Sequence, residues 1–223
     1  LGSAVAWTGT GDEYVLASDR GPKDGASDFA PRVHRMTVRV APGAKDPVQL
    51  KLTATALLTD EAGQPFTGAL DAFEHKQPEK NRRLDPEGVR VGRDGAVYIS
   101  DEYGPVIYEF DAKGKRVRTL PVPAHFQAPK PGKLPADELP PHAKSGRLPN
   151  RGMEGLAIRP DGGALVGALQ SPLIQDGALD AKGERVGRNC RLLELDLVTT
   201  KTREFVYPLD DPANGVCEIL AVS

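Results

Sequence analysis

Apolar and polar positions alternate over short runs separated by Gly- and Asp-containing turns, and no long run keeps a helical spacing. From Glu87 the run Glu87-Gly88-Val89-Arg90-Val91 leads to a turn at Arg93-Asp94-Gly95, then to Ala96-Val97-Tyr98-Ile99-Ser100. Val106-Ile107-Tyr108-Glu109-Phe110 follows, then the turn Asp111–Lys115 and the run Arg116–Val122. Period-two patterning of this length, broken by Asp-Gly and Lys-Gly pairs that tolerate positive φ, predicts β-strands joined by hairpins. The same plan returns around Asp161-Gly162-Gly163, Arg191–Leu197, Thr199–Thr202 and Arg203–Tyr207.

These are copies of one unit. Asp85–Pro105 and Asn150–Pro172 align, Leu1–Trp7 with Tyr14–Pro22 forms a looser copy, and a fourth starts at Asn214 and breaks off. The matching glutamates Glu87, Glu154 and Glu218 stand 67 and 64 residues apart. A repeated four-stranded meander predicts an all-β fold, a β-propeller of four-stranded antiparallel blades. A β-sandwich also alternates strands but does not usually repeat a motif, so the propeller is preferred. Three blades and one strand make an incomplete ring. The expectation is a single propeller domain over 1–223 that continues beyond Ser223.

Strand parity places the chemistry. If each blade runs from an inner to an outer strand, the long connections Lys23–Arg32, Thr59–Leu84, Ala124–Pro149 and Ser171–Asn189 gather over one face. That face also carries the starts of the inner strands, with Glu87, Glu154 and Glu218, and the ends of the second strands, with Asp19, Asp101 and Gln170. Carboxylates converging near an axis repel unless compensated, and Ca²⁺ takes six to eight oxygen ligands. Glu87, Glu154, Glu218 and Asp101 are therefore expected metal ligands; the alternative is that they hydrogen-bond backbone amides and knit blades together. Arg20, Arg151 and the pair Arg82-Arg83 could receive an anionic oxygen. The proline-rich stretch Ala124–Pro149 is either a lid or a disordered insertion.

Composition narrows the classes. Among 223 residues, 29 basic and 31 acidic side chains leave a net charge of -2, which argues against nucleic-acid binding of the electrostatic kind. No apolar run is long enough for a membrane span. The chain opens at Leu1 without a leader, so any targeting segment is expected to have been removed. Cys190 and Cys217 permit one bridge, with two buried thiols preferred. The four histidines share no spacing, and no nucleophile-elbow, zincin or phosphate-loop motif is present.

The ordered set Ser18-Asp19-Arg20-Gly21-Pro22, Asp85-Pro86-Glu87-Gly88, Ser100-Asp101-Glu102-Tyr103-Gly104-Pro105 and Asn150-Arg151-Gly152-Met153-Glu154-Gly155-Leu156-Ala157 resembles the phytase-like family, described as esterase-like activity of phytase. The resemblance implies a propeller exported to the periplasm or secreted, and a hydrolase of phosphoester or ester bonds. It carries over Glu87, Glu154, Asp101 and Asp19, whereas Gln170 and Ser3 stand where acids would be expected. On this reading Glu87, Glu154 and Asp101 are catalytic and, with Glu218, hold Ca²⁺ or another divalent cation. Arg20, Arg151, Asp19 and Gln170 bind a small anionic or ester substrate. Two rivals stay open: a non-catalytic propeller that binds a ligand or protein through the insertion-rich face, and a Ca²⁺-dependent lactonase-like enzyme.

Overall fold

The computed structural model describes residues 2–72, 81–132 and 134–222. Part of the Thr59–Leu84 insertion, with His75, lies outside the described residues. The remainder is all-β. Strands β1 (Gly2–Trp7), β2 (Glu13–Ser18), β3 (Arg32–Val40) and β4 (Val48–Leu57) form one antiparallel sheet. Strands β5 (Pro86–Val91), β6 (Val97–Asp101), β7 (Val106–Phe110) and β8 (Arg116–Leu120) form the second. The third holds β9 (Met153–Ile158), β10 (Ala164–Leu169), β11 (Asn189–Asp196) and β12 (Thr202–Pro208). Each is a meander in sequence order, as the repeat predicts. Among the described residues the only helical pieces are short 3-10 turns such as Ala124–Phe126, and no helix is long and apolar enough to cross a membrane.

The hairpins follow their turn chemistry. Gly95 and Gly114 take φ of 84° and 83°, a region that side chains resist. At the second turn Asp111 Oδ1 accepts from the amides of Lys113 and Lys115, at 2.8 and 3.0 Å.

The first strands of the three sheets pack in succession, β1 on β5 and β5 on β9. Alternation on the middle sheet then serves two cores. Val89, Val97, Ile99 and Phe110 join Val15, Ala17 and Val33 of the first sheet. From the opposite face, Tyr98, Ile107 and Leu120 join Met153, Leu156, Leu165 and Leu193. The arrangement is consistent with part of a propeller and does not close into a ring. Among the described residues nothing covers the far face of the first sheet. Register aligns Trp7, Tyr14, Met36 and Leu52 across all four strands, and pairs Val38 with Leu50 and Val40 with Val48. Val5, Trp7, Val40, Val48, Leu50 and Leu52 are each 52–63% exposed there.

Three expectations need correction. The stretch from Asn214 is extended but not a strand: Val216 N–H donates to the Gln170 carbonyl at 3.0 Å, and no ladder partner runs beside it among the described residues. The described part of the Ala124–Pro149 stretch is not a disordered insertion. It is a strap whose Phe126, Glu138, Arg147 and Leu148 are buried. Pro135 opens the 3-10 turn Pro135–Glu138, while a few apolar and charged side chains supply the packing. The cysteines are free, with Cys190 buried and Cys217 exposed.

The strap ends against the middle sheet at Gly152, where a Cβ would lie 2.1 Å from the Glu102 carbonyl oxygen. Gly152→Ala should therefore cost about 2–3 kcal/mol, because both clashing groups are backbone-anchored. Urea unfolding measures this; a loss within experimental error would show that the strap end yields freely.

Candidate active site

The candidate site arises where β5 begins and β6 ends. Pro86 pairs with Asp101 across the two strands, and the Glu102 amide donates to the Asp85 carbonyl at 2.9 Å. This brings Asp85, just before β5, and Glu87, within it, to the same end as Glu102. One carboxylate oxygen from each of Asp85, Glu87 and Glu102 lies within 4.8 Å of the others. Asp85 and Glu102 are buried and Glu87 is half-buried. Glu154, at the start of β9, joins the group electrostatically with both Glu102 and Glu87.

Burial and mutual repulsion set the protonation. Desolvation, then the charges of Asp85, Glu154 and Glu102, push the Glu87 carboxyl up to about 10, with the Ser3 hydroxyl pulling the other way. Desolvation raises Asp85 to about 8 against the opposing pull of Arg20, and Glu102 adds to the rise. Desolvation and Glu102 raise Glu154 to about 8. A cation joining Asp85, Glu87 and Glu154 would favour their ionised forms at neutral pH. Oxygen donors of this hardness suit Ca²⁺ or Mg²⁺.

Arg20 supplies part of the compensation. Its Nη1 donates to Asp85 Oδ2 at 2.6 Å and reaches Glu102 Oε2 at 3.3 Å, while its backbone amide meets Asp85 Oδ1 at 2.9 Å. Nε and Nη2 are taken by Asp24. Burial opposes the charge of Arg20, but Asp85, Asp24, Tyr103 and Glu102 outweigh it and raise its pKa. Arg20, expected to bind substrate, pairs internally with Asp85, Glu102 and Asp24.

The other residues singled out from sequence divide similarly. Glu87 and Glu154 are in the cluster. Asp101 is spent on backbone: Oδ1 accepts from Asp85 and Tyr103 at 2.8 and 3.3 Å, and Oδ2 from Gly104 at 3.0 Å. Burial raises its pKa to about 6 although these amides favour the charged form. Asp19 likewise accepts from the Gly21 amide at 2.6 Å. Glu218 stands apart, exposed and paired with Arg90 at 2.8 Å. Of the Arg82-Arg83 pair, Arg82 is exposed, whereas Arg83 is buried with its guanidinium 4.4 Å from the Tyr103 ring centroid. Gln170 is the pivot of the third sheet's contribution. Its amide nitrogen donates to Glu154 Oε1 at 2.6 Å, and its amide oxygen accepts from Arg151 Nη1 at 3.1 Å.

Asp85 and Glu102 were not among the expected ligands, though both stand inside the quoted motifs. The i, i+2 spacing of Asp85 and Glu87 on an extended segment was the available signal. For Glu102 the choice between adjacent acids depended on where β6 stops.

The chain matches the family described as phytase-like, esterase-like activity of phytase, over residues 2–223. A curated relative named as an uncharacterized secreted protein of Arthroderma benhamiae is 30% identical over 238 residues. That alignment covers 86% of this chain and 46% of the relative, so the chain spans about half the relative's length. A solved structure of a Bacteroides thetaiotaomicron protein of unknown function covers 97% of this chain and 41% of its own, at 12% identity and a TM-score of 0.45. With the family match running nearly end to end and the motifs that carry it converging on one acidic cluster, this chain belongs to the phytase-like family.

Proposed function

We propose that the protein is an extracellular hydrolase of phosphoester or ester bonds, with its site built around a divalent cation held by Asp85, Glu87 and Glu102. The observation carrying this reading is the convergence of those three carboxylates within 4.8 Å beside Glu154. The fit is chemical: all donors are hard oxygens, and among the described residues neither Glu87 nor Glu154 has an Arg or Lys in ion-pair contact. Ca²⁺ is the first candidate by donor type. The secreted relative supports an extracellular location.

When bound, the cation would polarise an ester or phosphoryl oxygen. The chain's own groups divide the remaining work. Glu154, steered by the Gln170 amide and raised to about 8, is suited to holding or accepting a proton near neutral pH. Arg20 keeps Asp85 and Glu102 in place. Arg151 faces the cluster through Gln170 and can orient an anionic substrate group.

Thermal unfolding in EGTA and then in saturating Ca²⁺ tests the cation. A midpoint rise of roughly 5–10 °C is expected at a hundredfold excess over the dissociation constant. Glu87→Gln should abolish the rise. An unchanged midpoint in the parent protein would make the acids structural.

A further inference from the structure

Several buried or half-buried arginines of this chain meet a carboxylate: Arg20 with Asp85, Arg90 with Glu218, Arg147 with Glu138, and Arg191 with Asp176. Arg151 and Arg185 do not. Both are half-buried, and among the described residues neither has a carboxylate oxygen within 4.0 Å. Their partners are neutral. Arg151 Nη1 donates to Gln170 Oε1 at 3.1 Å and Ser171 Oγ at 3.4 Å. Arg185, in the β10–β11 connection, donates through Nη2 to the Ala213 carbonyl at 2.7 Å and through Nη1 to that of Asn214 at 3.5 Å.

These contacts tie both arginines to the surroundings of Gln170, Arg151 directly and Arg185 through residues 213–216. The segment gripped by Arg185 continues into Gly215 and Val216, which lie on Gln170: the Val216 amide bonds its carbonyl at 3.0 Å, and a Cβ on Gly215 would stand 3.0 Å from its Cγ. Gln170 in turn holds Arg151. Burial first, and then the charge of Arg185, lowers the pKa of Arg151; Glu102 and Glu154 pull it back in part. The two positive groups repel one another, Glu102 and Glu154 offset that only in part, and each sits on neutral acceptors with N–H groups left over for an anion. A dianion matches two guanidiniums better than a single carboxylate does, and the planar fork of each suits tetrahedral oxygens.

We propose that Arg151 and Arg185 form a receptor for a dianionic tetrahedral oxyanion of the phosphate class at the rim of the acidic cluster. Its role as a substrate subsite rests on the hydrolase reading above; the binding itself needs no cation. It also assigns Arg185, a residue of an exposed connection that no motif marks, to ligand recognition.

Isothermal titration of the full-length protein with inorganic phosphate in EGTA tests the receptor, with acetate as the monovalent control. Phosphate should bind and acetate should bind far more weakly. Arg185→Gln and Arg151→Gln should each weaken phosphate by about tenfold, and Arg185→Lys by less, because the charge remains. Unfolding midpoints measured without phosphate check that each variant is folded, and Arg185→Lys keeps the test open if a Gln variant is not. Equal phosphate affinity in parent and variants, absence of phosphate binding in EGTA, or equal binding of acetate each overturns the receptor. A Ca²⁺-dependent midpoint rise that survives in Arg185→Gln would leave the cation site standing on its own, so the two readings fail separately.

Discussion

Arg147→Ala is expected to cost about 3–5 kcal/mol of stability, the range for removing one partner of a buried ion pair. Arg147 is 2% exposed. Nη1 pairs with Glu138, itself buried within the same strap. Nε donates to the Glu102 and Tyr103 carbonyls at 3.2 and 3.1 Å, and Nη2 to that of Tyr103 at 2.6 Å. Truncation would leave the Glu138 carboxylate partly stranded, held by Arg83 at 3.8 Å and the Gly132 amide at 2.9 Å, and would orphan two carbonyls in a dry interior. Because Glu102 is one of the clustered acids, the loss should also loosen the turn that delivers its carboxyl. Arg147→Lys restores charge but not the planar fork, so it should recover only part of the loss. Glu138→Gln placed on Arg147→Ala should recover part as well, by removing the stranded charge. Urea unfolding of the three variants measures this; a loss below about 1 kcal/mol for Arg147→Ala would show that the strap is dispensable to the middle sheet.

The second large effect concerns pH. Asp85, Glu87 and Glu154 have folded-state pKa values raised to about 8, 10 and 8 from ordinary values of 3.8 and 4.5. The folded protein therefore keeps protons that the unfolded chain releases above about pH 4. Stability from these groups is fully present below that pH and is lost as pH rises through the folded values. Asp101, raised to about 6, adds in the same direction. In EGTA the unfolding midpoint should fall by at least about 5 °C between pH 5 and pH 9. Saturating Ca²⁺ should flatten the decline by replacing the lost protons with a cation. Glu87→Gln should lessen it without Ca²⁺, because an amide cannot ionise, while Asp85 and Glu154 keep part of the decline. A midpoint in EGTA that holds constant or climbs over this range would contradict the repulsive cluster.

Much of the architecture was legible because hairpin turns and strand alternation are local properties. Asp94-Gly95 and Lys113-Gly114 mark their turns without reference to anything distant, and the repeat of Glu87 at Glu154 exposes the common plan. Loop parity then follows from strand count alone. The site was legible to the level of which end of the sheets carries the acids, and not to the level of which acids face one another. Asp101 and Glu102 are adjacent, and only the end of β6 decides that the first caps a turn with three amides while the second enters the cluster. The pairing of Arg20 with Asp85 is not legible because the two are 65 residues apart. Glu218 copies the repeat in sequence but lies in a segment that forms no ladder, so its side chain goes to Arg90 instead. The strap was obscure for the opposite reason. Its proline content suggests irregularity, and its order comes from a few deeply buried groups, Phe126 and Arg147 among them, whose neighbours are distant in sequence.

The uncovered side of the first sheet bears on how this stretch of chain would behave in a tube. Val5, Trp7, Val40, Val48, Leu50 and Leu52 lie side by side on a broad wetted sheet surface ending at the outer strand β4. Contiguous apolar area of that kind favours colloidal association, and an unpaired strand edge beside it offers hydrogen bonds to whatever sticks. For a polypeptide limited to these residues, solubility would thus be governed by an apolar face that takes no part in the acidic cluster's chemistry.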